Sequence, residues 1–297
     1  MKSHHILCLF CYSLSLAAAA VSLSATDSFG LHLWVDIVIA HVVSTLVIFL
    51  FSTFYSNSSL YDPYWSVAPV PIYFFIALSD ESGINLERIF LVGIPISYWA
   101  FRLTHNWLRT WPGLSKEDFR YVNLYETFGS FKWFINLFGI HLFPTLIVNL
   151  CLFPLYFYFI ENSADVTSFD YLICLFTLSM VLLEQISDEQ MHIFKANNEN
   201  KGKTMNEGLW KYSRHPNYLG EVGFWFGLCG FGLIGTNGSV FLLICPIAML
   251  LMFMFASIPM MDNRSLENRP DYADYMEKTS SLMPVSYTHL RAHETET

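Results

Sequence analysis

Charge is what this chain has least of. Of 297 residues 14% are Asp, Glu, Lys or Arg, against roughly a quarter in a soluble globular domain, and that shortage excludes an ordinary water-soluble fold. Cysteine is also sparse: the six, Cys8, Cys11, Cys151, Cys174, Cys229 and Cys245, all lie in apolar runs, where a thiol acts as a small hydrophobe. No disulfide framework is expected. Cys8 and Cys11 form a C-x-x-C, but no second pair exists to complete a zinc site, so no metal is expected either. No internal repeat or low-complexity linker is present. The net charge of −9 offers no basic surface for nucleic acid.

What is there is apolar: 54% of residues are hydrophobic and 17% aromatic. They form runs of the length, about 20 residues, that carries a helix across a ~30 Å hydrocarbon core. Candidate helices fall near 6–24, 31–55, 64–79, 88–108, 133–160, 169–187, 218–235 and 239–260. This predicts an all-α polytopic transmembrane helix bundle of about 7–8 spans. The third run is short and contains Pro69 and Pro71, the signature of a broken or partly re-entrant helix. The first run also fits a secretory signal peptide, since Lys2 precedes it and small residues follow.

Lysine and arginine collect in cytoplasmic loops. Arg109, Lys116, Arg120 and Lys132 share one loop, Lys195, Lys201, Lys203, Lys211 and Arg214 another, and Arg264, Arg269 and Lys278 follow the last span. The opposite side receives Asp80, Glu81, Glu87, Glu161 and Asp165, with Arg88 at its margin. This distribution predicts both termini in the cytoplasm. Residues 1–284 read as one transmembrane domain. The segment Val285–Thr297 (VSYTHLRAHETET) turns abruptly polar, resembles translated sequencing-adapter read-through, and is set aside.

The stretch ISDEQMHIFKANNENKGKTMNEGLWKYSRHPNYLGEVGFW is more polar than a connector between spans requires. Glu184 and Asp188 share one face of the preceding helix at i and i+4. Asn217 and Glu221 share a face of the next at the same spacing. Pro216 suits the first turn of a helix, whose free N–H groups and partial positive charge attract anions. With Arg214, His215, Lys195, Lys203 and Lys211 close in sequence, phosphate groups are the expected ligand. Glu221 enters an apolar span, where an acid is costly unless partnered.

Ser187-Asp188, then SRHPNYLGE about 30 residues on, then a tail Asp262-x-Arg264…Arg269-Pro270-x-Tyr272 together resemble the steroid 5α-reductase C-terminal superfamily. More closely they resemble its DUF1295 membrane reductase branch. The resemblance covers roughly residues 60–284 and is densest over 184–284. It implies a helix bundle in the endoplasmic reticulum that holds NADPH from the cytoplasmic side and reduces a carbon–carbon double bond conjugated to a carbonyl in a steroid-like or other lipid. Carried over residue by residue, Asp188, Lys195, Asn217 and Glu221 stand at cofactor-contacting positions, and Lys203, Arg214, His215, Tyr218 and Arg264 join them by type. Lysine replaces arginine at some of these positions. The Arg-His-Pro-x-Tyr re-entry at Arg214–Tyr218 is also similar to that of isoprenylcysteine and phospholipid methyltransferases, which use S-adenosylmethionine. A non-catalytic membrane scaffold is the third reading. Ser187-Asp188 and the abundance of bases favour NADPH, because NADPH carries phosphates whereas S-adenosylmethionine is a cation.

Reducing an enone requires a hydride at the β-carbon and a hydrogen-bond donor at the carbonyl oxygen. Tyrosine or a carboxylic acid kept protonated by burial can donate. Asp62, in Tyr61-Asp62-Pro63-Tyr64-Trp65-Ser66, precedes Pro69 by the interval that separates a family acid from its proline, although that acid is glutamate. Tyr98, in Tyr98-Trp99-Ala100-Phe101-Arg102, lies about one residue from the register of the family's catalytic tyrosine. Asp62 also suits a cap on the third helix, and Tyr98 an interfacial anchor.

Overall fold

A computed structural model describes residues 3–79, 83–162 and 164–284. Lys2, Asp80, Glu81 and Val285–Thr297 lie outside the described residues. Every regular element among the described residues is helical: α1 (Ser3–Asp27), α2 (Leu33–Phe54), α3 (Tyr64–Val67), α4 (Pro69–Leu78), α5 (Leu86–Thr110), α6 (Phe119–Phe128), α7 (Lys132–Phe134), α8 (Phe143–Tyr156), α9 (Ser168–Ala196), α10 (Pro216–Gly235), α11 (Ile244–Met252), α12 (Ile258–Asn268) and α13 (Tyr272–Lys278), joined in places by short 3-10 and π turns.

Six stretches are long and apolar enough to cross a membrane: His4–Asp27, Leu33–Phe54, Phe119–Glu161, Ser168–Ala196, Pro216–Gly235 and Val240–Asn268. The chain is a multi-pass integral membrane protein with an all-α fold. Two of the eight runs expected from sequence fall outside this set. The 64–79 run splits into α3 and the ten-residue α4, with Pro69 in the first turn of α4. Helix α5 has the length, 25 residues, but carries Glu87, Arg88, Arg102 and Arg109.

The chain forms two compact units. The first holds the described residues of Met1–Asp170 with Leu228–Cys245. Within it the Asn57 side chain accepts from Ser59 N and donates to Leu114 O at 3.1 Å. Ser58 N donates to Glu117 at 2.7 Å and Asp118 N to Ser59 Oγ at 2.8 Å, which stitches the loop after α2 to the start of α6. Arg88, 4% exposed, donates to the carbonyls of Tyr158 at 2.9 Å, Asn162 at 2.5 Å and Ala164. Arg88 therefore closes the carbonyl end of the Phe119–Glu161 span, where a cation is favoured.

The second unit holds the described residues of Tyr171–Gly227 with Pro246–Thr297. Its central feature is the close approach of α9 and α10 along Gly220, Gly223 and Gly227. A Cβ on Gly220 would lie 2.7 Å from Met180 O and 2.8 Å from Glu184 N. Small residues permit such backbone approach in a membrane, where packing rather than water drives association.

Candidate functional site

In the second unit the loop between α9 and α10 folds back on the helices that flank it. Trp210 Nε1 donates to Ser187 O at 3.0 Å, and Leu209 N to Gln190 Oε1 at 2.9 Å. Gly208 has a φ of 58°, a left-handed conformation that favours glycine, and a Cβ there would meet the Gln190 amide at 2.6 Å. Further back, Thr204 donates through N and Oγ1 to Asp271 at 3.1 and 2.7 Å, which ties the loop to the start of α13. These bonds hold the Asp271 carboxyl below its usual range, although its modest burial pushes the other way.

Helix α10 begins at Pro216, preceded by a turn in which His215 N donates to Ser213 Oγ at 3.2 Å. The helix start places Asn217 against the end of α9, where its Nδ2 donates to Asp188 Oδ1 at 3.2 Å. Asn217 Oδ1 is buried and has no donor. One turn on, Glu221 is 2% exposed and accepts from Trp225 Nε1 at 2.8 Å, the partner that an acid inside an apolar span requires. Lys195, at the end of α9, stands within Coulombic reach of Asp188 and of Arg264 and Arg269. Lys195, Arg264 and Arg269 thus gather beside Asp188 at the end of α9.

Arg214 and His215 are otherwise engaged. Arg214 Nη2 meets Asp262 Oδ2 at 2.9 Å, and its Nη1 donates to Met276 O at 3.2 Å and Thr279 O at 2.7 Å, at the C-terminal end of α13. His215 Nε2 lies 2.9 Å from Asp262 Oδ1, which also accepts from the Tyr272 hydroxyl at 2.5 Å. The Tyr218 ring stacks on His215, centroids 5.2 Å apart, and packs 4.8 Å from Phe253. Lys203 is exposed on the loop, and Arg264 exposed on α12.

The structure therefore brings Asp188, Asn217 and Lys195 together, with Arg264 in reach of Lys195. It gives Arg214 and His215 a carboxylate partner in Asp262, a hub that sequence reading quoted only as part of the tail motif. The signal was available: Asp262 follows a long apolar run, and a buried acid there must be paired.

In the first unit Asp62 does not cap α3, because Pro63 holds that position and makes no side-chain bond. Its carboxyl accepts from the Tyr121 hydroxyl and from Arg120 Nη2 at 3.5 Å. Both donors are positioned by Asp118, which caps α6 and holds Arg120 Nε at 2.8 Å. Burial pushes the Asp62 carboxyl up from 3.8 to about 6, against the pull of Arg120. Between those values the folded chain binds a proton that the unfolded chain has released, so the contribution of this group to stability falls as pH rises through that window. An infrared carboxylic C=O band that disappears as pH rises through about 6, and is missing in Asp62→Asn, is expected. A band missing from the wild type at pH 5 would contradict it. Tyr98 is partly buried on α5, beside the fully buried Trp99.

An uncharacterized protein of Schizosaccharomyces pombe is 26% identical over 258 residues, covering 78% of this chain and 74% of that protein. No solved structure matches. The model of a family described as protein of unknown function, DUF1295, matches residues 48–279, and on that extent the chain belongs to the DUF1295 family.

Proposed function

We propose that this protein is an NADPH-dependent membrane reductase of a carbon–carbon double bond conjugated to a carbonyl in a steroid-like or other lipid. The observation that carries the reading is the buried Asn217 Oδ1, an acceptor with no donor, on a helix start adjoining Asp188 and the Lys195 cluster. An unpaired buried acceptor costs about 1–3 kcal/mol. The amide or amino group of a dinucleotide is a donor of the kind it lacks, and the phosphates suit Lys195 and Arg264, with Lys203 alongside. Bound NADPH supplies the hydride. The chain's own contribution is to orient Asn217 through Asp188 and to neutralise phosphate charge; Asp62, whose carboxyl burial shifts toward the protonated form, and Tyr98 are the proton donors by type. Cytoplasmic termini and residence in the endoplasmic reticulum accompany this reading.

A gathering of bases disfavours S-adenosylmethionine, itself a cation. NADPH at 100 times its dissociation constant is expected to stabilise the purified protein by about 2.7 kcal/mol, with no shift from S-adenosylmethionine. Asn217→Leu and Lys195→Ala should each weaken NADPH binding by about tenfold or more. Stabilisation by S-adenosylmethionine alone would replace this reading with a methyltransferase.

A further inference from the structure

Within the first unit, α1, α2, α4 and α5 enclose with α3 a cavity of about 740 Å³, in the range that buries a drug-sized molecule. Leu9 and Leu16 line it while remaining more than half exposed, so it opens sideways along α1, where acyl chains lie in a membrane. No Asp, Glu, Lys or Arg among the described residues lines it. A lipid with a charged head would find no counter-ion inside, and in low dielectric that exclusion is severe.

Among the polar groups that line it are His41 and Ser44 on α2 and Tyr64 on α3. His41 is 4% exposed, and neither ring nitrogen has a hydrogen-bond partner. Asn149 lies beside it, but the geometry makes no hydrogen bond between them, and both polar atoms of the Asn149 amide are also unpartnered. Imidazole keeps at least one N–H donor in every protonation state.

The Tyr64 hydroxyl, on a ring 5.9 Å from that of His41, heads a chain of hydroxyls. It lies 3.3 Å from Thr45 Oγ1, which lies 3.0 Å from Thr145 Oγ1, itself 2.9 Å from the Tyr61 hydroxyl. Thr45 has one proton and donates it to His41 O at 2.8 Å. It must therefore accept from both Tyr64 and Thr145. The Tyr64 proton is spent on Thr45, which leaves its oxygen, beside the Ser44 hydroxyl, as an acceptor in the cavity lining.

We propose that this cavity binds an uncharged lipid alcohol, whose hydroxyl accepts from the His41 N–H and donates to the Tyr64 oxygen. A hydroxyl satisfies both groups. A ketone can satisfy only His41, and a hydrocarbon neither. The site stands whether or not the protein is a reductase, since nothing in it depends on NADPH.

The test uses a photoactivatable cholesterol with the full-length protein in phosphatidylcholine nanodiscs. Labelling is expected on peptides of α1, α2 or α4, competed by cholesterol, about tenfold less well by cholestenone, less again by cholestane, and not by oleate. His41→Leu, which removes an unpartnered polar group and should fold, is expected to lower cholesterol competition about tenfold and leave cholestane unchanged. Ala19→Trp, at the cavity wall, should abolish labelling. Labelling elsewhere, competition by cholestenone equal to that by cholesterol, or a site indifferent to both variants would overturn the proposal. Loss of NADPH binding with cholesterol labelling intact would count against the reductase reading alone.

Discussion

Asp262→Ala is expected to destabilise the protein by about 3–5 kcal/mol, the cost of removing one partner of a buried ion pair. The carboxylate is 5% exposed and takes hydrogen bonds from three residues at once: Arg214, His215 and Tyr272. Its removal leaves the Arg214 guanidinium, already lacking a partner at Nε, with only the carbonyls at the end of α13. Two elements depend on that guanidinium, the turn that starts α10 and the helix α13 that follows the last span. Asp262→Asn keeps the shape and part of the bonding, so it should lose distinctly less. Lys211→Ala, on the exposed loop, should lose nearly nothing. Denaturation in mixed micelles measures all three. A loss below about 1 kcal/mol for Asp262→Ala would show that the cluster does not tie these elements together.

That cluster also marks where sequence reading stopped. Apolar run length located the helices because a bilayer imposes one length on every crossing. The prolines at 69 and 71 located the break between α3 and α4 because a missing N–H acts locally. The i, i+4 pairing of Asn217 with Glu221 and of Glu184 with Asp188 was readable for the same reason. Partnerships across long separations were not. Arg214 and Asp262 lie 48 residues apart, and the arginine's phosphate-like context in SRHPNYLGE gave no hint that an acid from α12 occupies it. The cavity was equally hidden. His41 looks like any histidine in an apolar helix until α3 brings Tyr64 beside it, and the direction of the Tyr64 proton depends on Thr45 and Thr145, 100 residues apart. Rules about an acid or imidazole inside a span announce that a partner is needed. Only the fold supplies its identity.

The glycine contacts of α10 yield the other large effect, and they rank themselves. A Cβ at Gly220 would meet backbone of α9, Met180 O at 2.7 Å and Glu184 N at 2.8 Å. Neither atom can move without the helix. At Gly227 the obstacle is Thr177 Oγ1 at 2.2 Å, a β-branched side chain bonded to Ile173 O at 2.7 Å and so slow to yield. At Gly223 it is the Met180 thioether at 2.4 Å, which swings aside readily. Overpacking of a tight contact costs about 1–3 kcal/mol per site and more when the backbone must part. Alanine at these positions should therefore destabilise in the order 220, 227, 223, with Gly223→Ala close to neutral and Gly220→Leu the most damaging. Gly220→Leu carries a second consequence. Asn217 reaches Asp188 at 3.2 Å only because α9 and α10 run this close, and Asn217 lies one turn before Gly220. Prising the helices apart should break that bond first, so NADPH binding is expected to fall by more than tenfold even under conditions where the variant stays folded. Gly223→Ala should bind as the wild type does. Equal losses of affinity in the two variants would mean that helix separation does not control the Asn217–Asp188 pair.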